Sequence, residues 1–487
     1  MPQIQALQGN GRLVIDGALL DGAGSFQVLN PADGSVVGSA QIADDAAVDA
    51  AVEAAQRAFP AWAALPAERR ARHLEAMADW LHAHEDELSR LLTLEQGKPR
   101  SESKGEVRAA AKAFRWYAAE AVRAYGEIMP TDSPNLRSFV IKQPVGVVAC
   151  IVTWNYPLGL MSWKVGPALA AGCTVVVKPA GKTPLSTLAI IEGALEAGLP
   201  AGVLNGIAGR GEAVGARLAA HPLVRKISFT GGTETGRALL HLAADTVKRV
   251  TLELGGHSPM LVAADAPLDI AVADAAKRSF RNAGQLCNSV NRIYVHETIA
   301  DEFAARLATA AGKMRLGFGL DEPEPDLGPL SMASGLQRVE EHVEDARAKG
   351  GQIIAGGSRP NDERLAHGWF YPPTVVDHAT EDMRMVTQET FGPVVPILRV
   401  ATMDEAIERA NSLEFGLVAF VYTKDLKFAT RSAERLEFGT VNINNVGGGD
   451  VPFPYPGWKQ SGLGVELSHH GLEEYLAVKH VRLGIGY

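Results

Sequence analysis

Cysteine is scarce in this chain: Cys150, Cys173 and Cys287 are all that 487 residues contain. Three thiols, odd in number and far apart, argue against a disulfide framework and for a reducing compartment. Aromatic residues make up only 6% of the chain, and the formal charge of −9 is dispersed, with no basic block. A nucleic-acid partner is therefore not expected. The scattered histidines show no ligand spacing, so no metal is expected. The first eight residues have neither a basic start nor an apolar core, so no signal peptide is read. The longest uncharged run, 143–163, is broken by Asn155 and Pro157. It reads as strand, turn and helix start rather than as a membrane span. A cytoplasmic protein with no membrane partner is the expectation.

Glycine, by contrast, is abundant at 50 residues, and the apolar share is 46%. So long a chain predicts two or three domains with many tight strand-to-helix turns. Residues 12–40 read as short strands, with Asn30-Pro-Ala-Asp-Gly34 as a turn. From Asp44 to Gly126 the pattern is helical, in three segments broken near Pro66 and Lys98-Pro99. Leu136–Lys142, a turn at Gln143-Pro144 and Val145–Val152 together predict a hairpin. Between 145 and 263, strands at 145–152, 173–178, 203–207, 224–229, 249–254 and 259–263 alternate with helices. Such alternation predicts an α/β fold with a doubly wound parallel sheet. A second βα alternation runs from 268 to about 440, and the tail reads as a short helix and a final strand.

Cys287 sits on a polar connection, Arg281-Asn-Ala-Gly-Gln-Leu-Cys-Asn-Ser-Val-Asn-Arg292, between a helical run and a strand. A reactive thiol needs such access, although a free cysteine is also a common small core residue. Glu253 ends an apolar strand, in Leu252-Glu-Leu-Gly-Gly256. There it is either a general base with raised proton affinity or a glutamate paired to a lysine. Asn155, in Thr153-Trp-Asn-Tyr-Pro157, offers an amide to a developing oxyanion or simply shapes a turn. Thr230-Gly-Gly-Thr-Glu-Thr-Gly236 joins strand to helix, where Gly231, Gly232 and Gly236 would let a backbone approach a pyrophosphate. The connection Gly206-Ile-Ala-Gly-Arg-Gly211 reads only as a turn. Lys178, at a strand end, is placed to meet a ribose hydroxyl or a phosphate, or to face solvent.

Seven short motifs follow one another between Thr153 and Gly464: Thr-Trp-Asn-Tyr-Pro, Lys-Pro-Ala, Phe-Thr-Gly-Gly-Thr-Glu-Thr-Gly, Leu-Glu-Leu-Gly-Gly, Gly-Gln-Leu-Cys, Glu-Thr-Phe-Gly-Pro and Lys-Gln-Ser-Gly-Leu-Gly. With them the chain closely resembles the aldehyde dehydrogenase superfamily from end to end, most of all its succinic-semialdehyde and lactaldehyde branch. The resemblance implies two Rossmann-like domains and a small β oligomerisation element. Residues 1–130 and 145–255 would bind NAD(P), residues 256–455 would be catalytic, and 131–144 with 468–487 would join subunits into a homodimer or homotetramer. It further implies that Cys287 attacks an aldehyde while Asn155 and the Cys287 N–H hold the oxyanion. Glu253 would activate water to hydrolyse the thioester, with Glu466 relaying its proton. Trp154, Lys178, the Gly231–Gly236 turn, Glu389 and Phe391 would bind the cofactor.

The departures from the pattern carry their own expectations. Gly181, followed by Lys182, stands where many members have a glutamate that repels a 2′-phosphate, so NADP is expected to be accepted beside NAD. Of two arginines that clamp a distal carboxylate in succinic-semialdehyde enzymes, one matches Arg281, whereas Trp163 occupies the other position. With aromatic residues such as Phe453 in the 450–458 loop, this predicts an aromatic or medium-chain aliphatic aldehyde. Succinic semialdehyde, or another short semialdehyde or hydroxyaldehyde, is the alternative substrate. A cysteine acyl hydrolase, an acyl-CoA-forming enzyme and a non-catalytic homologue are the competing classes. Glu253 speaks for water as the acyl acceptor.

Overall fold

In a computed structural model the described residues are 4–209 and 212–486. The Gly206–Gly211 connection therefore lies partly outside them. Four helices, Asp45–Ala64, Ala67–Ala83, Glu85–Gln96 and Arg100–Ala121, occupy the region read as three segments. The additional break falls at His84, where the ring is stacked on Trp80. Asp44 caps the first of these helices through the Ala47 N–H, at 2.8 Å.

The core of the first sheet consists of five parallel strands in the spatial order Arg249–Glu253, Val224–Thr230, Val147–Ile151, Thr174–Lys178 and Leu204–Gly206. Antiparallel pairs close its two ends, Gly462–Leu463 at one and Leu13–Ile15 with Ala18–Leu20 at the other. Val147–Ile151 is buried at every residue, as a strand covered on both faces must be.

The hairpin predicted from 136 to 152 does not form. Leu136–Pro144 pairs instead with Leu476–Gly484 along its whole length and with Glu127–Met129 at one end. Its alternating, half-buried pattern suits a sheet with one wet face, and the fully apolar Val147–Ile151 belongs in the centre of another.

Ser258–Val262 likewise leaves the sheet to which its sequence pattern assigned it. Four residues separate it from Glu253, too few for the crossover that a parallel neighbour requires. It joins a second, seven-stranded sheet between Val290–His296 and Val418–Tyr422. All neighbours in that sheet run parallel except the edge pair Gln352–Ala355 and Thr374–Asp377. The carboxyl ends of the first sheet thus face the amino ends of the second across Leu254–His257. No helix among the described residues is long and apolar enough to cross a membrane.

Candidate active site

The connection that carries Cys287 folds through three successive left-handed residues, Asn282, Ala283 and Gly284, at φ 48°, 54° and 71°. Asparagine tolerates this region and alanine does so at a cost of about 1–2 kcal/mol. At Gly284 a Cβ would sit 2.0 Å from the Gly392 carbonyl. Gly256 has a similar role, since a Cβ there would lie 2.3 Å from the Cys287 carbonyl oxygen. Gly284 therefore lets the Cys287 loop rest against the Gly392 backbone, and Gly256 lets it rest against the turn that follows Glu253.

Cys287 opens onto a cavity of about 180 Å³ lined by Asn155, Leu160, Trp163, Arg278 and Arg281, among others. Asn155 Nδ2 donates to the Gln285 carbonyl at 3.0 Å, which leaves its second amide hydrogen open. The Cys287 backbone N–H has no partner among the described residues. Two donors are thereby available beside the sulfur, the arrangement an oxyanion requires. Burial, followed by the neighbouring Glu253 carboxylate, pushes the Cys287 thiol well above its ordinary value.

Glu253 is buried, and neither carboxylate oxygen meets a hydrogen-bond partner among the described residues. Burial raises its pKa to about 7, with repulsion from Glu466 adding to the effect and Lys164 opposing it. The Lys164 ammonium, itself buried, pairs with Glu466 Oε1 and donates to Thr230 Oγ1 at 2.6 Å. Glu466 Oε2 is left unpartnered among the described residues. These groups converge because Thr230 and Glu253 are cross-strand partners, and Glu466 stands opposite Tyr455 in a short ladder.

On the other side of Asn155, a cavity of about 410 Å³ is lined by Trp154, Gly181, Lys182 and Trp369. Lys178, close to it in sequence, is buried; its ammonium makes a single 3.3 Å bond among the described residues, to the Pro179 carbonyl, and burial pushes its pKa down. Gly231 and Gly232 precede the helix Thr233–Ala244. A Cβ at Gly231 would strike the Phe229 ring at 2.4 Å and one at Gly236 would strike Leu254 at 2.6 Å, whereas Gly232 faces open space. Glu389 accepts the Gly256 N–H at 3.1 Å, and burial raises its carboxyl to about 7. Trp154 meets Phe391 edge-on, ring centroids 5.5 Å apart. A lysine with spare donors, a helix start free of Cβ atoms and a two-ring wall suit a dinucleotide.

Trp163 and Arg281 line the substrate-side cavity, but Phe453 does not. Phe453 is 66% exposed, because the ladder that begins at Tyr455 turns that ring inward instead. Tyr455 Oη lies 3.6 Å from Cys287 Sγ, and its ring meets Trp163 edge-on at 5.6 Å. Arg278 was missed from the sequence. It is buried, its Nε donates to the Asn288 carbonyl at 3.0 Å, and its Nη2 has no partner among the described residues. Arg281, in contrast, is partly neutralised by Glu102 at 3.3 Å. The expected loss of a charged clamp is therefore corrected: one arginine position holds Trp163, but a different arginine enters the cavity one helical turn before Arg281.

The Aldehyde dehydrogenase family model matches residues 20–481. The chain is 44% identical to the NADP(+) succinate-semialdehyde dehydrogenase GabD of Escherichia coli (strain K12), over 97% of each chain. It is 43% identical to a glutarate-semialdehyde dehydrogenase of Pseudomonas putida (strain KT2440), over 96% of this chain and 95% of the relative. A solved structure described as an E. coli NADP-dependent enzyme superposes with a TM-score of 0.95 at 44% identity, covering 98% of both chains.

Proposed function

Because the chain belongs to the aldehyde dehydrogenase family, we propose that it oxidises a short aldehyde with an anionic far end, a semialdehyde, to the corresponding acid. The observation that carries this reading is the unpaired Nη2 of buried Arg278 in the wall of the cavity onto which Cys287 opens. A buried guanidinium hydrogen without an acceptor is costly, and a carboxylate supplies that acceptor with charge assistance. The relatives act, by their names, on succinate and glutarate semialdehydes. Both facts favour the semialdehyde alternative over the aromatic or medium-chain aldehyde read from Trp163.

In this reading the Cys287 thiolate adds to the aldehyde carbon, and the resulting oxyanion is met by Asn155 Nδ2 and the Cys287 N–H. A bound NADP or NAD supplies the hydride acceptor. Lys178, Lys182 and the Gly231–Gly232 turn would hold its ribose and phosphates, with Glu389 at the other ribose and Trp154 with Phe391 along the wall. Glu253, unpaired and near neutral in proton affinity, takes a proton from water as that water attacks the thioester. Glu466, whose other oxygen is held by Lys164, would pass the proton on from Oε2. The unpaired Glu253 supports water, rather than coenzyme A, as the acyl acceptor.

Assembly through the three-stranded sheet is part of the proposal. Its strands expose Ile128 at 89% and Val478 at 69%, apolar surface that a second subunit would cover. Three free thiols support a cytoplasmic setting.

The test is initial-rate oxidation of succinic semialdehyde, glutaric semialdehyde, benzaldehyde and hexanal with each cofactor. A kcat/KM for one of the semialdehydes at least ~10-fold above both neutral aldehydes is expected. Equal or better use of benzaldehyde or hexanal would overturn the substrate reading.

A further inference from the structure

Tyr455 is the least explained residue at the site. It is buried, and its only hydrogen-bond partner among the described residues is Cys287 Sγ, at 3.6 Å. A buried tyrosine hydroxyl ordinarily finds an oxygen acceptor; this one finds sulfur. The ring has little freedom to turn elsewhere. Its backbone is paired to Glu466, the following Pro456 is paired to Val465, and Trp163 meets its ring edge-on at 5.6 Å.

The sulfur needs such a partner. Burial and the Glu253 carboxylate both disfavour a thiolate at Cys287, and Glu389 adds to them. The hydrogen bond from Tyr455 acts in the opposite sense. Tyr455 itself is pushed well above its ordinary value, first by burial and then by the charge of Cys287. It therefore keeps its proton and remains a donor.

We propose that the Tyr455 hydroxyl donates a hydrogen bond to the Cys287 sulfur whenever that sulfur is negative, both as the attacking nucleophile and as the leaving group of the thioester. The second half rests on the oxidation proposed above. In that step water gives a proton to Glu253 and its oxygen bonds to the acyl carbon. The carbon–sulfur bond breaks, and its electron pair returns to sulfur. Tyr455 transfers no proton. It lowers the energy of the departing thiolate by charge-assisted hydrogen bonding, and the electrons and protons balance without it.

The experiment is the pH dependence of Cys287 alkylation by iodoacetamide, followed by mass spectrometry, in the wild type and in Tyr455→Phe. Cys150 and Cys173 are buried and report separately by mass. Removing a hydrogen bond to a charged group should move the thiol midpoint up by about 1–2 pH units. Alkylation near pH 7.5 should slow about 10-fold or more in parallel. The second readout is pre-steady-state turnover with cofactor and succinic semialdehyde, where decay of the acyl-enzyme should slow while KM changes less than kcat. An unshifted midpoint in a Tyr455→Phe protein with wild-type melting temperature would overturn the proposal. Should that variant melt early, Tyr455→His, which keeps a ring donor, separates packing from donation: a wild-type midpoint supports the hydrogen bond, and a raised one overturns it. The alkylation readout needs neither aldehyde nor cofactor, so it stands even if the substrate reading fails.

Discussion

The ammonium of Lys98 donates to the backbone carbonyl of Asn155 at 2.7 Å, and both residues are buried. The same ammonium pairs with Glu106 at 2.7 Å and lies over the Tyr156 ring. Glu106 in turn accepts the N–H groups of Leu158 and Gly159 at the start of the helix Pro157–Ala171. The strand-to-helix turn that aims the Asn155 amide is thus fixed by a buried ion pair from outside the first sheet. Lys98→Met leaves Glu106 buried without its partner, which costs about 3–5 kcal/mol. The melting temperature should fall, and with Asn155 displaced kcat should fall about 100-fold. Adding Glu106→Gln should recover part of the stability but not the rate. Thermal melts and steady-state kinetics of the two variants check both halves.

Glu253 should set the lower limb of the pH–rate profile. Only its carboxylate form can accept a proton from water, so kcat should rise as pH passes through about 7. Glu253→Gln should remove that limb and lower kcat about 10²–10⁴-fold while a first-turnover burst of reduced cofactor persists. Stability should move the other way. The folded value lies above the ordinary carboxylate value of 4.5, so the favourable contribution is present below that value and is lost as pH rises through about 7. Glu253→Gln should therefore melt above the wild type at pH 8, with the gap closing toward pH 5.

Arg278 gives a charge-specific prediction. Arg278→Met should raise KM for succinic semialdehyde about 10- to 100-fold, the worth of a charge-assisted hydrogen bond, and leave KM for hexanal within about two-fold. Arg278→Lys should be intermediate, since an ammonium keeps the charge without the planar fork. Parallel KM increases for both aldehydes would mean that Arg278 only shapes the cavity.

The groups at the reacting centre were legible in the sequence because each lies in a motif whose spacing is tied to a strand end. Glu253 closes an apolar strand, Asn155 follows another, and Cys287 sits on a glycine-containing connection. Arg278 was hidden by helical periodicity. It shares a helix with the buried residues Val272, Ala275, Ala276 and Ser279, a pattern that reads as core. A cation on that face was the available signal. Tyr455 is hidden among the aromatic residues of its loop, where no local signal separates it from Phe453. Only the pairing of Tyr455 with Glu466 decides which ring turns inward. The hairpin failed for a related reason: local alternation finds strands, but whether Leu136–Pro144 pairs with its neighbour or with Leu476–Gly484 depends on a partner more than 300 residues away.

Gly181 offers the clearest test of cofactor choice. It lines the 410 Å³ cavity together with Lys182 and Trp154, and it is only partly buried. No carboxylate is supplied at this position, and Lys182 adds a cation next to it. A 2′-phosphate entering the cavity would meet that cation without repulsion from residue 181. Gly181→Glu should restore the repulsion and at the same time offer an acceptor to the ribose hydroxyls of NAD. Like-charge contact in a partly desolvated site costs several kcal/mol, so KM for NADP should rise about 10- to 100-fold while KM for NAD falls. Because residue 181 lies in the cavity remote from the Cys287 thiol, kcat with saturating NAD should stay near that of the wild type. Steady-state kinetics with both cofactors at fixed succinic semialdehyde measure the switch. Should the ratio of the two KM values remain unchanged in Gly181→Glu, the phosphate must be bound elsewhere than beside Lys182.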